Sequence, residues 1–417
     1  MNDAITPFTL AVPQADLEDL NRRIDQTRWP DAETVDDWTQ GAPLAKVKAL
    51  VDHWRHRYDW RRCEAMLNNW SQYKTTIDGL DIHFLHVRSK HENALPLIIT
   101  HGWPGSVIEF MKIIGPLTDP TAHGGRPEDA FHVVAPSLPG HGFSDKPTAT
   151  GWDVPRIANA WIVLMRRLGY TRWVAQGGDW GSLVATAIGV MKPDDCAAIH
   201  VNMPLVFPEP DQLQDMDAFE QAAVASLAHW EEKGSGYFKQ QSTRPQTLGY
   251  GLADSPVGQA AWIYEKMWAW TDNQGNPEDA LTLDEMLDNI MLYWLPGNAT
   301  SSARLYWESV ANVAPTKLAN VASTRLELPV GVSIYPRETN RPSRRWVDRW
   351  MPNLIHYNIL DRGGHFAAWE QPALHAKEIR DCFAKVRRPR QTKLAGSGFS
   401  RALIGAVTVK RKEESHD

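Results

Sequence analysis

The stretch WVAQGGDWGSLVATAIGVM, residues 173–191, constrains the fold more than any other part of the chain. It opens as a short apolar strand and closes as a helix, with Gly177, Gly178, Asp179, Trp180 and Gly181 between the two. Small residues around one functional side chain allow a sharp strand-to-helix turn. Such a turn lifts the central group above a sheet, beside the first N–H groups of the helix. LPLIIT (95–100) and FHVVAP (131–136) are also short apolar strands ending in Gly- or Pro-rich turns, and strand-like ELPVGVSIYP (327–336) and LIHYNIL (354–360) return later. The pattern predicts an α/β protein with a largely parallel sheet.

The remaining sequence divides around that sheet. Residues 1 to about 72 carry apolar side chains at three-to-four spacing in PQADLEDLNRRIDQTRW and APLAKVKALVDHWRHRYDW, the pattern of helices joined by loops. From Tyr73 the period becomes two, and YKTTIDGLDIHFLHV reads as two strands joined at Asp78 and Gly79. Between about 206 and 322 aromatic, helix-like segments such as QAAWIYEKMWAW and EMLDNIMLYWL replace strands, which predicts a helical insertion into an interrupted sheet. The expected organisation is a helical extension leading into the first core strands over 1–92, the first part of the core over 93–205, a helical cap over 206–322, the second part of the core over 323–389, and a peripheral or mobile tail over 390–417.

Composition excludes some function classes. With 43% hydrophobic and 23% charged residues and a net charge of -6, the chain offers no basic face for nucleic acid. Its 19 Trp suit either core packing or walls around an oily ligand. For Trp262, Tyr264, Trp268, Trp270, Tyr293 and Trp294 helix packing is the commoner use. Cys63, Cys196 and Cys382 lie far apart without CxxC spacing, so neither a disulfide framework nor a zinc site is expected. No stretch approaches the roughly 20 apolar residues that span a bilayer. MNDAITPFTLAV has Asp3 where a signal peptide is basic, so a soluble cytoplasmic protein without a transmembrane anchor is expected. The sequence leaves homo-oligomerisation open.

The choice of Asp at position 179 is chemically informative. A Ser attacking an epoxide or alkyl carbon forms an ether that water does not readily cleave, whereas a carboxylate forms an ester with a carbonyl that activated water can attack. Alone, a GGDWG turn is more often a helix start with its Asp as cap; candidate partners reverse that balance. His101, Gly102, Trp103 and Pro104 follow LPLIIT at the place of an oxyanion-hole turn, so the amides of Trp103 and Trp180 are the natural donors, with His101 structural. His365, in ILDRGGHFAAWE, follows the last strand on a loop that Gly363 and Gly364 are expected to make flexible, and it is the candidate base. Glu338 follows the strand GVSIYP and is the candidate acid that orients the imidazole, with Asp348 and Asp361 as rivals. The order Asp179, acid, His365 is that of an α/β hydrolase.

From about residue 5 to about 388 the chain resembles the microsomal-type epoxide hydrolases, including the juvenile hormone epoxide hydrolases and their bacterial relatives. The matching stretches are HGWPGS, PSLPGHGFSDKP, GGDWGS, GSGYFKQQSTRPQTLGYGLADSPVG, SSARLYWES and GGHFAAWEQP. The resemblance implies an α/β-hydrolase fold with a parallel-rich sheet, a helical cap and an N-terminal epoxide hydrolase segment. It implies Asp179 as nucleophile, Glu338 and His365 as charge relay, Tyr237 and Tyr306 as proton-donating acids on the cap, and Trp103 and Trp180 as oxyanion-hole donors. A small apolar epoxide and water would be the reactants, with no metal or organic cofactor. A haloalkane dehalogenase on the same fold, and more remotely a non-catalytic binding protein, are the competing readings.

Overall fold

The computed structural model describes residues 3–311 and 324–387. The tail expected over 390–417, and residues 312–322 of the expected cap, lie outside the described residues. Among the described residues nine strands form one sheet: β1 (Ile5–Phe8), β2 (Gln72–Ile77), β3 (Leu80–Val87), β4 (Leu95–Thr100), β5 (Phe131–Pro136), β6 (Trp173–Gly177), β7 (Cys196–Val201), β8 (Val330–Ile334) and β9 (Leu354–Ile359), in the order β1-β2-β3-β5-β4-β6-β7-β8-β9. β5, β4, β6, β7, β8 and β9 run parallel, and β1, β2 and β3 add an antiparallel edge. The parallel strands are buried on both faces, which is why Leu97, Ile98, Ile99, Val133 and Val134 form continuous apolar runs instead of alternating with polar residues. β1 departs from the expectation of helices and loops over the first 72 residues. Its ITPF sequence is short and contains Pro7, which an edge strand tolerates because one side needs no ladder donor.

The sheet order reverses at β4. The chain steps from β4 outward to β5, then crosses back to β6 on the other side of β4. In open parallel sheets the crevice beyond the carboxyl ends of the strands at such a reversal is the ligand site. Here Thr100 and Gly177 are register partners at those ends, so the 101–104 turn and the elbow at Asp179 emerge side by side. Helices α4 (Met111–Thr118), α5 (Val154–Arg167) and α6 (Asp179–Met191) lie in this half of the core. α13 (Arg344–Trp350), α14 (Ala367–Glu370) and α15 (Pro372–Ala384) follow β8 and β9.

Between β7 and β8 come α7 (Ala218–His229), α8 (Gly236–Thr243), α9 (Pro245–Asp254), α10 (Pro256–Trp270), α11 (Leu283–Trp294) and α12 (Ala299–Tyr306), the helical cap. It is tied to the loops that leave the core strands. Asn289 donates to the Pro104 carbonyl at 2.7 Å, Tyr293 to Gly105 at 2.6 Å, Asn298 to Gly142 at 2.8 Å and Ser301 to Gly140 at 2.6 Å. These bonds saturate loop carbonyls that the cap would otherwise bury unpaired.

The N-terminal helices α1 (Gln14–Asp25), α2 (Leu44–His56) and α3 (Trp60–Asn68) pack in turn on the cap helices α10 and α11. The joint centres on Asp288, buried on α11, which accepts from Tyr58 Oη at 2.8 Å and from Arg62 at 2.6 Å. Truncation leaves the phenol without its acceptor, while the partly exposed guanidinium can turn to water. Asp288→Ala is therefore expected to cost about 2 kcal/mol of stability, at the lower end for a broken buried ionic contact. Urea unfolding checks this, and an unchanged midpoint would show that the joint does not hold the segment to the cap.

Candidate active site

Asp179 stands at the apex of the turn with a φ of 50°, a left-handed conformation that is sparsely populated by non-glycine residues. The approach of α6 to the end of β4 is so close that a Cβ on Gly181 would lie 1.9 Å from the Thr100 carbonyl oxygen. Asp179 is not the helix cap: Gly178 holds that position. The carboxylate is engaged elsewhere. Its Oδ1 accepts the Trp103 N–H at 2.7 Å, and its Oδ2 lies 3.3 Å from His365 Nε2. A Cβ on Gly102 would sit 2.0 Å from Oδ1, so the turn that presents the Trp103 amide has room only for glycine there. The Trp180 amide is in the first turn of α6, where an N–H has no intrahelical acceptor. Among the described residues it makes no bond to Asp179 in this arrangement. His101 is buried, accepts the Leu138 N–H at 3.1 Å on Nε2 and meets its neighbour's carbonyl at Nδ1; burial lowers it to about 4.

His365 follows β9, and its Nδ1 lies 2.9 Å from Glu338 Oε2 and 3.2 Å from Oε1. Glu338 is 2% exposed, so this is a desolvated pair and not a solvated loop acid. Burial alone would push His365 down, but the charge of Glu338 and the hydrogen bonds and charge from both carboxylates outweigh it and hold the imidazolium well above its ordinary range. The rivals do not reach the ring: Asp348 is exposed and pairs with Arg344 at 3.5 Å, and Asp361 is exposed. The loop expected to be flexible at Gly363 and Gly364 is instead pinned. Its amides donate at Gly363 to Asp272 (2.8 Å), at His365 to the Trp270 carbonyl (2.9 Å) and at Phe366 to Glu370 (3.0 Å). Gly364 serves close approach to the cap, since a Cβ there would lie 2.4 Å from the Trp270 carbonyl oxygen, Gly363 takes a φ of 98° against Tyr335, and the backbone at His365 is fixed by the end of α10.

Tyr237 on α8 and Tyr306 at the end of α12 bring their rings to 5.9 Å from each other, both buried. Tyr237 stacks on Trp103 at 5.2 Å, and Tyr306 stands edge-on to Trp180 at 4.7 Å. Burial raises both phenols well above their ordinary range; the charge of Asp179 adds to this in each case, and for Tyr306 the neighbouring Tyr237 contributes as well. Both therefore hold their protons at neutral pH. The structure thus brings Asp179, His365, Glu338, Trp103, Trp180, Tyr237 and Tyr306 into one contiguous group. Trp270 belongs to it too, 4.9 Å from the His365 ring and 5.2 Å from Tyr237. Trp268 is a packing residue, stacked on Trp38 at 4.7 Å.

Two acids that the sequence did not single out flank this group. Glu109, in the turn before α4, has its carboxyl beside Gly105 and is pushed up to about 8, chiefly by burial and further by Asp179, against the lowering effect of His365. Glu370 is raised to about 7 by burial, while its oxygens accept the amides of Asp272 and Phe366. Among the described residues no group of three or more His, Cys, Asp or Glu is placed to hold a metal ion, and no helix is long and apolar enough to cross a membrane.

Comparison with known proteins decides the family. Residues 5–110 match the epoxide hydrolase N terminus, and residues 96–247 match the alpha/beta hydrolase fold. Epoxide hydrolase 1 of Sus scrofa is 36% identical over 407 residues, which cover 91% of this chain and 88% of the pig protein. The chain belongs to the epoxide hydrolase family. Another relative, from Stigmatella aurantiaca and provisionally named an epoxide hydrolase, is 61% identical over 383 residues, 92% of this chain and 86% of its own length. Among solved structures, juvenile hormone epoxide hydrolase of the silkworm Bombyx mori superposes with a TM-score of 0.85 at 29% identity, covering 92% of this chain and 95% of that one. Aspergillus niger epoxide hydrolase gives 0.82 at 31% identity, covering 92% and 97%. The architecture is the α/β-hydrolase fold with a helical cap and an N-terminal extension.

Proposed function

We propose that the chain converts a small apolar epoxide and water to a vicinal diol through a covalent ester on Asp179. The observation that carries this reading is the two-sided hold on one carboxylate: an amide at 2.7 Å on Oδ1 and an imidazole nitrogen at 3.3 Å from Oδ2. In the first half-reaction Oδ2 attacks an epoxide carbon, the C–O bond of the ring breaks, and the departing oxygen takes a proton from Tyr237 or Tyr306. The product is a hydroxyalkyl ester.

Esterification removes the charge of Asp179, one of the groups that keep His365 protonated. The imidazole then gives up its proton, which by way of solvent restores the phenol that protonated the ring oxygen, and becomes a competent base, with Glu338 still fixing its tautomer. His365 takes a proton from water, the hydroxide attacks the ester carbonyl carbon, and the oxyanion on Oδ1 is met by the amides of Trp103 and Trp180. Collapse expels the diol oxygen, which recovers the proton from His365. The carboxyl left on Asp179 then gives its proton to His365, which restores the starting carboxylate and imidazolium.

The test is His365→Gln. Attack by Asp179 needs no base but ester hydrolysis does, so the variant should stop after its first step and accumulate adduct. Intact-mass measurement after mixing with styrene oxide should show the protein heavier by one substrate, and peptide mapping should place that mass on Asp179. Unmodified protein, with substrate binding demonstrated separately, would count against the two-step reading.

A further inference from the structure

Lys266, on α10, is a buried cation that the proposed mechanism does not use. It is 7% exposed, and its ammonium lies 4.6 Å from the centroid of the Tyr237 ring and 5.9 Å from those of Trp262 and Trp270. These rings are held in place around it: Trp262 donates to Gln241 at 2.9 Å, and Tyr237 packs edge-on to Trp270 at 5.2 Å and flat on Trp103 at 5.2 Å. Its ionic partner is the adjacent Glu265, whose side chain is a quarter exposed. A long side chain at the edge of a cap ordinarily turns its charge to water. This one places it over the face of a phenol that stands beside the Asp179 carboxylate.

Resting on the epoxide hydrolase reading above, we infer that Lys266 is a positioning residue for ring opening, its ammonium stabilising the negative charge that spreads into the Tyr237 ring as that phenol donates its proton. A cation over an aromatic face is attracted by the negative face of the ring, and the attraction grows when the ring becomes more electron-rich. A phenol losing its proton is such a ring. The interaction is therefore stronger in the transition state than in the ground state, which is the condition for raising a rate instead of only binding substrate. The second half-reaction involves no transfer from Tyr237, so ester hydrolysis gains nothing from Lys266. Besides the Lys266 ammonium over its ring, Tyr237 feels the charges of Asp179 at the elbow and Glu338 after β8, and hydrogen bonds with Tyr306 and Trp230.

Single-turnover kinetics with styrene oxide, following adduct formation and decay separately, test the assignment. Lys266→Met should slow adduct formation about tenfold and leave adduct decay unchanged, while Lys266→Arg should stay within about threefold of wild type because a guanidinium also binds ring faces. The deciding comparison is a double-mutant cycle: in a Tyr237→Phe background Lys266→Met should cause little further loss, since the charge it stabilises no longer develops. Thermal unfolding identifies a variant that has lost its fold, and Lys266→Gln then takes the place of Lys266→Met. Wild-type adduct formation in Lys266→Met, equal slowing of both steps, or an undiminished effect in the Tyr237→Phe background each overturns the inference while leaving the Asp179 chemistry standing. Absence of any adduct in the wild type and in His365→Gln sinks that chemistry, and this inference with it.

Discussion

In Asp179→Ala, epoxide turnover is expected to fall by about four to six orders of magnitude, the range seen when a nucleophile is removed from an otherwise intact site. The carboxylate has no substitute within the geometry. His365 faces it from one side, the Trp103 amide from the other, and neither group forms an ester with an epoxide carbon that water can later open. The raised acids Glu109 and Glu370 do not fill the role: Glu109, held near 8, is mostly protonated under neutral conditions, and the oxygens of Glu370 are occupied by the amides of Asp272 and Phe366. The fold should survive. Alanine is less tolerant than aspartate of a φ of 50°, which costs about 1–2 kcal/mol, and the lost bond to Trp103 costs about 1 kcal/mol more. Both are small against the core beneath. Turnover of purified variant and wild type, together with their thermal unfolding midpoints, checks both halves of the expectation. Near wild-type turnover would remove Asp179 from the chemistry, and a collapsed midpoint would assign it to structure.

Much of the geometry of this candidate site was legible in the chain because its constraints are written locally. The turn at 177–181 needs small residues around one side chain, and the 101–104 turn needs glycine where a side chain would collide with Asp179 Oδ1. Both follow strands whose apolar runs are unmistakable. Glu338 was legible by position, as the acid after β8, but its near-complete burial against His365 was not, since Arg337 and Arg341 beside it suggest a solvated loop. β1 and β7 were not seen: ITPF carries a proline, and CAAIHV opens on three small residues and separates its branched Ile199 and Val201 by His200, so it shows no continuous apolar run. Glu109 and Lys266 were invisible for a different reason. Each sits in a run where a charged residue ordinarily faces water; Lys266 is instead turned onto the aromatic rings of the cap, and Glu109 onto the backbone at Gly105. Trp270 was read with the other cap aromatics as packing, and its contact with the His365 ring depends on the cap bonds that pin the 363–366 loop.

The double variant Tyr237→Phe with Tyr306→Phe separates epoxide from haloalkane chemistry, because the two reactions expel different leaving groups. Ring opening produces an alkoxide, a strong base that departs only as it is protonated, whereas a halide leaves as a weakly basic anion and asks for no proton. The geometry suits the first. Both phenols are buried, their rings are 5.9 Å apart against the indoles of Trp103 and Trp180, and burial together with the Asp179 charge raises them well above their ordinary range. They remain protonated throughout the neutral range and hold a proton ready beside the carboxylate. Each single Tyr→Phe change leaves one donor, so adduct formation should slow by about 10- to 100-fold; the double change leaves none and should slow it by about 10³- to 10⁴-fold. Phenylalanine preserves the ring contacts, so the thermal midpoint should hold within a few degrees, and Asp179 and His365 stay in place. Rapid-quench measurement of adduct on mixing with styrene oxide provides the rates, and a chloroalkane supplies the control. If the double variant alkylates at the wild-type rate, or if the wild type turns over chloroalkanes faster than any epoxide offered, the proton donors are not part of the reaction and the dehalogenase reading replaces this one.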